Sequence, residues 1–142
     1  MICTFFGHRN CPEEIGLSLE STIIDLIENK DVDMFYVGNQ GQFDYMVRKT
    51  LKHFKKIYPE VEYAVVLAYM PCEKERLVYD DYMETIYPEG LESTPKKFAI
   101  HKRNMWMINE ADYVVTYVRY ISGGAGQFKE IAEKKGKIVI NL

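Results

Sequence analysis

Three glycines within four residues precede a predicted helix in the segment SGGAGQFKE, which runs from Ser122 to Glu130. Glycine permits positive φ angles and close approach of the backbone to a ligand. The start of a helix carries unpaired N–H groups and the positive end of the helix dipole, so the two features together favour a bound phosphate. A tight turn that only joins a strand to a helix is the alternative interpretation.

Polar loops that contain glycine recur after three predicted strands. Gly7-His8-Arg9 follows the first strand, Gly38–Gly41 the second, and Ser122–Gly126 the strand YVVTYV. Because ligands of parallel sheets bind beyond the carboxyl ends of the strands, these loops are expected to converge at one edge. The recurrence favours a ligand site over a purely structural turn.

Apolar runs and helical periodicity alternate along the sequence. The pattern predicts strands at Ile2–Phe6, Met34–Val37, Tyr63–Tyr69, Glu84–Tyr87, Tyr113–Val118 and Lys137–Asn141, and helices at Glu13–Asn29, Phe43–Tyr58, Phe98–Asn109 and Gly126–Lys135. Strands that are apolar throughout and separated by helices predict a single Rossmann-like α/β domain over residues 1–142. Its sheet is doubly wound and mainly parallel, with helices on both faces. The irregular stretch Met70–Lys97, with Pro71, Pro88 and Pro95, is a candidate functional loop.

Composition narrows the class of protein. The 142 residues are 47% hydrophobic and 27% charged, as in globular domains, and the net charge of −3 predicts that nucleic acid is an unlikely partner. No apolar run has membrane-spanning length and no signal-peptide pattern begins the sequence, which predicts a cytoplasmic protein without a membrane partner. The separated Cys3, Cys11 and Cys72 indicate reduced thiols, and neither they nor the scattered histidines indicate a metal site.

Four segments resemble the SMF/DprA–LOG (SLOG) superfamily of Rossmann-like nucleotide-associated domains. GGAGQFKE is similar to the PGGxGTxxE motif of the LOG ("lonely guy") nucleoside-monophosphate phosphoribohydrolases, with Ser122 in place of proline and Gln127 in place of threonine. IHKRNMWM resembles the LOG stretch MHERKxxM, from which Lys102 and Asn104 depart. The positions that match these two motifs are Gly123, Gly124, Gly126, Glu130, His101, Arg103 and Met107.

The two remaining segments lie near the start of the sequence. ICTFFGHR resembles the first strand and loop of the superfamily, and it is closer to the small bacterial YpsA-like branch. Gly38 and Asp44 in GNQGQFD resemble the GGxxGxD-type second loop of the DprA side, with Gly41 one position out of register. The resemblance spans nearly the whole chain.

The resemblance implies a catalytic pair, Arg103 and Glu130, that cleaves an N-glycosidic bond. It also implies a 5′-phosphate on the glycine loop and Gln127. The residue types suit this chemistry, since a carboxylate stabilises an oxocarbenium-like sugar and a guanidinium binds phosphate or ribose. The other expected ligand contacts are Gly7, His8, Arg9, Gly38, Asn39, Gly41, Asp44 and Ser122, with Tyr117 and Tyr120 as candidates for stacking on a base.

Each of these residues also has an interpretation without a ligand. Glu130 suits a solvated i,i+4 ion pair with Lys134, and Arg103 suits a surface charge in the basic run His101–Arg103. His8 suits a turn cap, and Arg9 a partner of Glu13 or Glu14. Because glutamine replaces the motif's threonine at position 127, binding of phosphate is better supported than turnover.

The sequence thus predicts a protein that binds a nucleotide or nucleotide-derived ligand. If the protein is an enzyme, the predicted reaction is hydrolysis of the N-glycosidic bond of nucleoside 5′-monophosphates. A non-catalytic sensor of an NAD-derived or other nucleotide signal is the alternative, and binding of single-stranded DNA is less favoured. No cofactor is expected. A homo-oligomer is expected, because relatives in this superfamily assemble and the helix Phe98–Met107 is rich in aromatic residues and methionine.

Overall fold

A computed structural model describes residues 1–70 and 84–142 of the chain. The strands are β1 (Ile2–Gly7), β2 (Met34–Val37), β3 (Glu62–Val66), β4 (Thr85–Ile86), β5 (Tyr113–Tyr117) and β6 (Ile138–Asn141). The helices are α1 (Ile15–Asn29), α2 (Gly41–Ile57), α3 (Lys96–Glu110) and α4 (Gly124–Lys134), with a 3₁₀ turn at Leu91–Ser93.

The six strands form one sheet in the order β4-β3-β2-β1-β5-β6, and every neighbouring pair is parallel. The predicted α/β fold is therefore confirmed, with a sheet that is parallel throughout rather than mainly parallel. From β1 the chain winds outward through β2, β3 and β4, then returns to the other side of β1 as β5 and β6. The connections reverse direction between β1 and β5, which is where open parallel sheets form a crevice.

Helices cover both faces of the sheet, and neighbouring residues of β1 show this division. Phe5 stacks on Phe35 with ring centroids 6.0 Å apart, in the core under α1 and α2. Phe6 stacks on Phe128 at 5.5 Å, in the core under α3 and α4. Successive side chains of a strand point to opposite faces, so a strand buried on both sides is apolar without alternation.

Among the boundaries near the crevice that differ from the predicted ones are the end of β3 and the start of α4. β3 ends at Val66, three residues before the predicted end at Tyr69, because the chain bends at Ala68 and Tyr69 although the sequence stays apolar. α4 begins at Gly124, two residues before the predicted start, so Gly124 and Gly126 lie in its first turn. Residues 71–83, with Pro71 and Cys72, lie outside the described part of the predicted loop.

Among residues 1–70 and 84–142, no helix combines the length and apolarity that crossing a membrane requires. Cys3 and Cys11 are buried free thiols. Burial raises the pKa of both thiols above the usual range, so neither is primed as a thiolate.

β1 packs closely against α2 at Gly7. A Cβ added at Gly7 would overlap the ring of Phe43, whereas a Cβ at Gly16 would come no closer than 4.0 Å to Met46 Sδ. We expect Gly7→Ala to lower the free energy of unfolding by about 1–3 kcal/mol through overpacking. The matched control, Gly16→Ala, should be neutral or stabilise by up to about 1 kcal/mol because alanine favours a helix. Urea denaturation measures both; equal stability of the two variants would show that Phe43 moves aside freely.

Candidate functional site

A cavity of about 390 Å³ opens at the carboxyl ends of β1, β2 and β5. Its wall joins the loops after β1 and β2 to residues of α2 and α3 and to the start of α4. The cavity thus lies at the crevice that the strand order defines. Of the residues predicted from the sequence, it brings together Gly7, His8, Arg9, Gly38, Asp44, Arg103, Tyr120, Gly123 and Gly124.

The start of α4 presents at the cavity amide groups that make no hydrogen bond to residues 1–70 or 84–142. Gly123 has φ of +100°, in the region that favours glycine, and precedes the helix. The first hydrogen bond of the helix runs from the amide of Gln127 to the carbonyl of Gly123, at 3.2 Å. The N–H groups of Gly124, Ala125 and Gly126 therefore precede the helical ladder and lie at the positive end of the dipole. This geometry suits an anion.

The guanidinium of Arg103 is buried below the same cavity, with only 2% of the residue exposed. Its Nη1 donates to the carbonyl of Val66 at 2.8 Å, and its Nε donates to Oδ1 of Asn104 at 2.7 Å. Burial lowers its pKa below the ordinary value, and the carboxylate of Asp44 opposes that effect. Arg103 is thus a buried charge with fixed geometry rather than a surface charge.

Asp44 supplies a buried carboxyl group in the first turn of α2. Its Oδ2 accepts a hydrogen bond from the amide of Gln40 at 3.0 Å. Burial raises its pKa to about 6, although the Gln40 amide and the guanidiniums of Arg103 and Arg48 act in the opposite direction. A carboxyl with this pKa changes charge near neutral pH.

Gly38 lies against both charged groups. A Cβ at this position would stand 2.7 Å from Asp44 Oδ2 and 3.1 Å from Arg103 Nη1. Any larger residue would have to displace one of these groups. The glycine after β2 therefore leaves room for the carboxylate and the guanidinium to lie beside one backbone position.

His8 connects the loop after β1 to the loop after β5. Its Nε2 accepts a hydrogen bond from the amide of Arg119 at 2.9 Å, which puts the proton of the neutral ring on Nδ1. Burial, and secondarily the charge of Arg119, lower its pKa. The ring stacks on Tyr120 with centroids 3.9 Å apart and meets the edge of Tyr117 at 5.6 Å. Tyr120 thus has one face against His8, while Tyr117 is buried.

The remaining predicted residues do not line the cavity. Glu130 is exposed and pairs with Lys134 at 3.0 Å, which is the solvated ion pair given as its alternative interpretation. Its catalytic role stays a prediction. Ser122 and the side chain of Gln127 are exposed, and the side chain of Asn39 accepts a hydrogen bond from that of Gln40. Gly41 packs on Arg9, and Gly126 packs against the carbonyl of Ile121.

Sequence reasoning missed two residues that hold the charged side chains of the wall. Gln40 holds Asp44 through its backbone amide, and Asn104 holds Arg103 through its side chain. Asn104 had drawn attention only as a departure from the LOG stretch. The available signal was its place next to Arg103, because a buried guanidinium needs acceptors. Ala125 lines the cavity within the predicted glycine loop.

The cavity offers backbone N–H donors, one guanidinium, one carboxyl group and one imidazole. Within the residues that the structure describes, no group of three or more His, Cys, Asp or Glu residues could hold a metal ion. Donors clustered at one end and a carboxyl group at the other suit a polar organic anion with hydroxyl groups.

Fold and cavity define a Rossmann-like α/β protein with a cavity at its crevice. The sequence matches no protein-family model and no curated protein. Among solved structures, the chain is similar to DNA processing protein A (DprA) from Streptococcus pneumoniae, with a TM-score of 0.68 and 19% sequence identity. The match covers 98% of this chain and 49% of that chain, so it spans about half of the neighbour's length.

At this identity, the likeness shows the fold alone. DprA is a protein for which the SMF/DprA–LOG superfamily is named, so the match agrees in fold with the sequence resemblance. The assignment to the YpsA-like branch, the single domain over residues 1–142, the small-molecule nucleotide ligand and the homo-oligomer stay predictions.

The expectation that nucleic acid is an unlikely partner is wrong. It relied on the net charge of −3, whereas the fold neighbour is a DNA processing protein. A net charge sums over the whole surface and does not describe the local surface at a site. At the loops around this cavity, Arg9 and Arg119 are both exposed.

The raised pKa of Asp44 predicts a specific pH dependence of stability. The folded protein keeps the Asp44 proton up to about pH 6, whereas the unfolded chain releases it near the ordinary value of 3.8. As pH rises from 4 to 7, wild type should therefore lose stability relative to Asp44→Asn, by up to about 3 kcal/mol. Below pH 3.8 the difference between the two proteins should be constant.

Urea denaturation at several pH values measures this difference. Asp25→Asn is the matched control, because Asp25 is exposed and accepts a hydrogen bond from Asn29 four residues away. Its difference from wild type should change little over the same range. A wild-type to Asp44→Asn difference that is flat from pH 4 to 7 would contradict the raised pKa.

Proposed function

We propose that this chain is a SLOG-type domain that binds a nucleotide or nucleotide-derived ligand in the cavity at the ends of β1, β2 and β5. The observation that carries the proposal is one cavity that joins the free amide groups of α4 to the buried charges of Arg103 and Asp44. A structural turn would need neither the cavity nor the buried charges.

The phosphate is placed on the N–H groups of Gly124, Ala125 and Gly126. Backbone donors at a helix start bind phosphate without help from a side chain. The exposed side chain of Gln127 is therefore compatible with binding, although the LOG motif has threonine there. Arg9, exposed at the cavity wall, supplies a positive charge for the approach of an anionic ligand.

Hydrolysis of a nucleoside 5′-monophosphate to free base and ribose 5-phosphate is the second candidate function. It is favoured by Arg103 and Asp44, a guanidinium and a carboxyl group that both line the cavity. A carboxyl with a pKa of about 6 can exchange a proton near neutral pH. Binding without turnover is preferred, because Glu130 lies outside the cavity in an ion pair with Lys134.

DNA is a further candidate ligand, suggested by the name of the fold neighbour. A single strand offers phosphates to the same N–H groups, and exposed Tyr120 offers an aromatic face to a base. A free nucleotide is preferred because buried groups close the cavity at its floor. A small ligand fits such a cavity, whereas a DNA strand needs an extended groove. Competition between an oligonucleotide and nucleoside monophosphates distinguishes the two ligands.

The binding proposal predicts that nucleoside 5′-monophosphates bind wild type and that Gly123→Ala abolishes most of this binding. The substitution places alanine at φ of +100° and shifts the amide groups of α4. Gly136→Ala is the matched control, because Gly136 has φ of +76°, an added Cβ would meet nothing within 4 Å, and the residue lies at the other end of α4. Gly123→Ala should lose about 1–3 kcal/mol of stability, because φ of +100° with ψ of 173° is a region that is essentially restricted to glycine. Gly136→Ala should lose about 1–2 kcal/mol.

Isothermal titration calorimetry measures the binding at a temperature where both variants are folded. Only Gly123→Ala should lose affinity for the nucleotide. Equal affinity of wild type and Gly123→Ala for the nucleotide would show that the phosphate does not bind at the start of α4. Tighter binding of a single-stranded oligonucleotide than of any monophosphate would favour DNA as the ligand.

Turnover has a separate test. Wild type is incubated with a panel of nucleoside 5′-monophosphates and NAD-related compounds, and chromatography looks for released base. We expect intact nucleotides, and we expect Glu130→Ala to bind them as wild type does, because its side chain is exposed away from the cavity. Base release that Glu130→Ala abolishes and Lys134→Ala retains would establish hydrolysis and the catalytic role of Glu130.

A further inference from the structure

The carboxylate of Asp44 has one oxygen engaged and one oxygen open to a ligand. Oδ2 accepts the amide of Gln40, while Oδ1 accepts no hydrogen bond from the described residues, 1–70 and 84–142. Asp44 is 9% exposed and lines the cavity. A carboxylate oxygen with little access to water gains free energy when a ligand donates a hydrogen bond to it.

The position of this oxygen is fixed by its surroundings. The side chain starts from the first turn of α2, and Gly38 packs against Oδ2. Arg103, which lies on the same side of Gly38, is held by the carbonyl of Val66 and by Asn104. The carboxylate is thus held in place before a ligand arrives, which favours selective recognition.

The sheet order sets the distance between Asp44 and the start of α4. Gly38 and Asp44 follow β2, the start of α4 follows β5, and β1 lies between these two strands. Neighbouring strands are about 4.8 Å apart, so the two ends of the cavity are separated by roughly 10 Å. This separation is comparable with the reach of a nucleoside monophosphate from its phosphate to the far side of its ribose. Hydroxyl donors therefore come near Asp44 when phosphate occupies α4.

We infer that Asp44 accepts a hydrogen bond from a ribose hydroxyl of the ligand and thereby selects ribonucleotides over deoxyribonucleotides. The inference rests on the proposed function, since it concerns the same cavity. A hydroxyl donating to a carboxylate makes a charge-assisted bond, which is stronger than a neutral one. A ligand without that hydroxyl leaves Oδ1 without this bond, and sites built to bind a hydroxyl reject such analogues strongly.

The test measures affinities of the full chain for AMP, 2′-deoxy-AMP and 3′-deoxy-AMP, and for the GMP series, by calorimetry at pH 7.5. Wild type should bind at least one of the two deoxy compounds about 10- to 100-fold more weakly than the ribonucleotide. In Asp44→Asn, the amide oxygen is expected to take the Gln40 hydrogen bond and turn its NH₂ toward the ligand. The preference for the ribonucleotide should then fall to within about threefold.

Asp25→Asn, at the exposed site on α1, should keep the wild-type preference. Equal binding of ribo- and deoxyribonucleotides by wild type overturns the inference and leaves the proposed function standing. An undiminished preference in Asp44→Asn overturns the role of Asp44. Absence of binding by every monophosphate overturns the proposed function itself. Equal binding of ribo- and deoxyribonucleotides by wild type overturns the inference even where Asp44→Asn does not fold.

Discussion

The burial of Arg103 constrains the residues around the crevice. A guanidinium that is 2% exposed is stable only where acceptors and an opposite charge surround it. Its acceptors come from the last residue of β3, Val66, and from its neighbour Asn104, while the opposing charge comes from Asp44 in α2. Gly38 after β2 leaves room for both charged groups. Residues of β3, α2 and α3 thus meet at one side chain.

The fold was predictable because a buried parallel sheet leaves a strong pattern in the sequence. β2 has the predicted bounds Met34–Val37, since an apolar run lies between Asp33 and Gly38. β3 ends earlier than predicted because Leu67–Tyr69 stay apolar and buried or half-buried after the chain has left the ladder. Periodicity records burial and not hydrogen bonding, so it does not detect such a bend. The start of α4 was placed late because glycine is a poor helix former, whereas the first turn tolerates it.

The candidate site was predictable in its location more than in its contacts. Ligands of parallel sheets bind beyond the carboxyl ends of the strands, which predicted that the loops after β1, β2 and β5 converge. The cavity is lined by residues of all three loops. The burial of Arg103 was hidden by the basic run around it. The exposure of Glu130, by contrast, was readable: Phe128 and Ala132 are one turn apart on the buried face of α4. A residue midway between them points to the opposite face, at about 100° per residue. The motif match directed attention to Glu130 despite this periodicity.

Local charge, rather than the total of −3, determines what the cavity can hold. A phosphate at α4 repels the carboxylate of Asp44, by about 2 kcal/mol for each unit of phosphate charge at roughly 10 Å and an effective dielectric constant of 20. The start of α4 offsets part of this repulsion at the phosphate end, and Arg103 offsets part at the carboxylate end. Without the guanidinium, an arriving anion would favour protonation of Asp44 and remove the charge that strengthens its bond to a hydroxyl. Together with the Gln40 amide and Arg48, the buried arginine would therefore favour an ionised Asp44 in a cavity that also holds a phosphate.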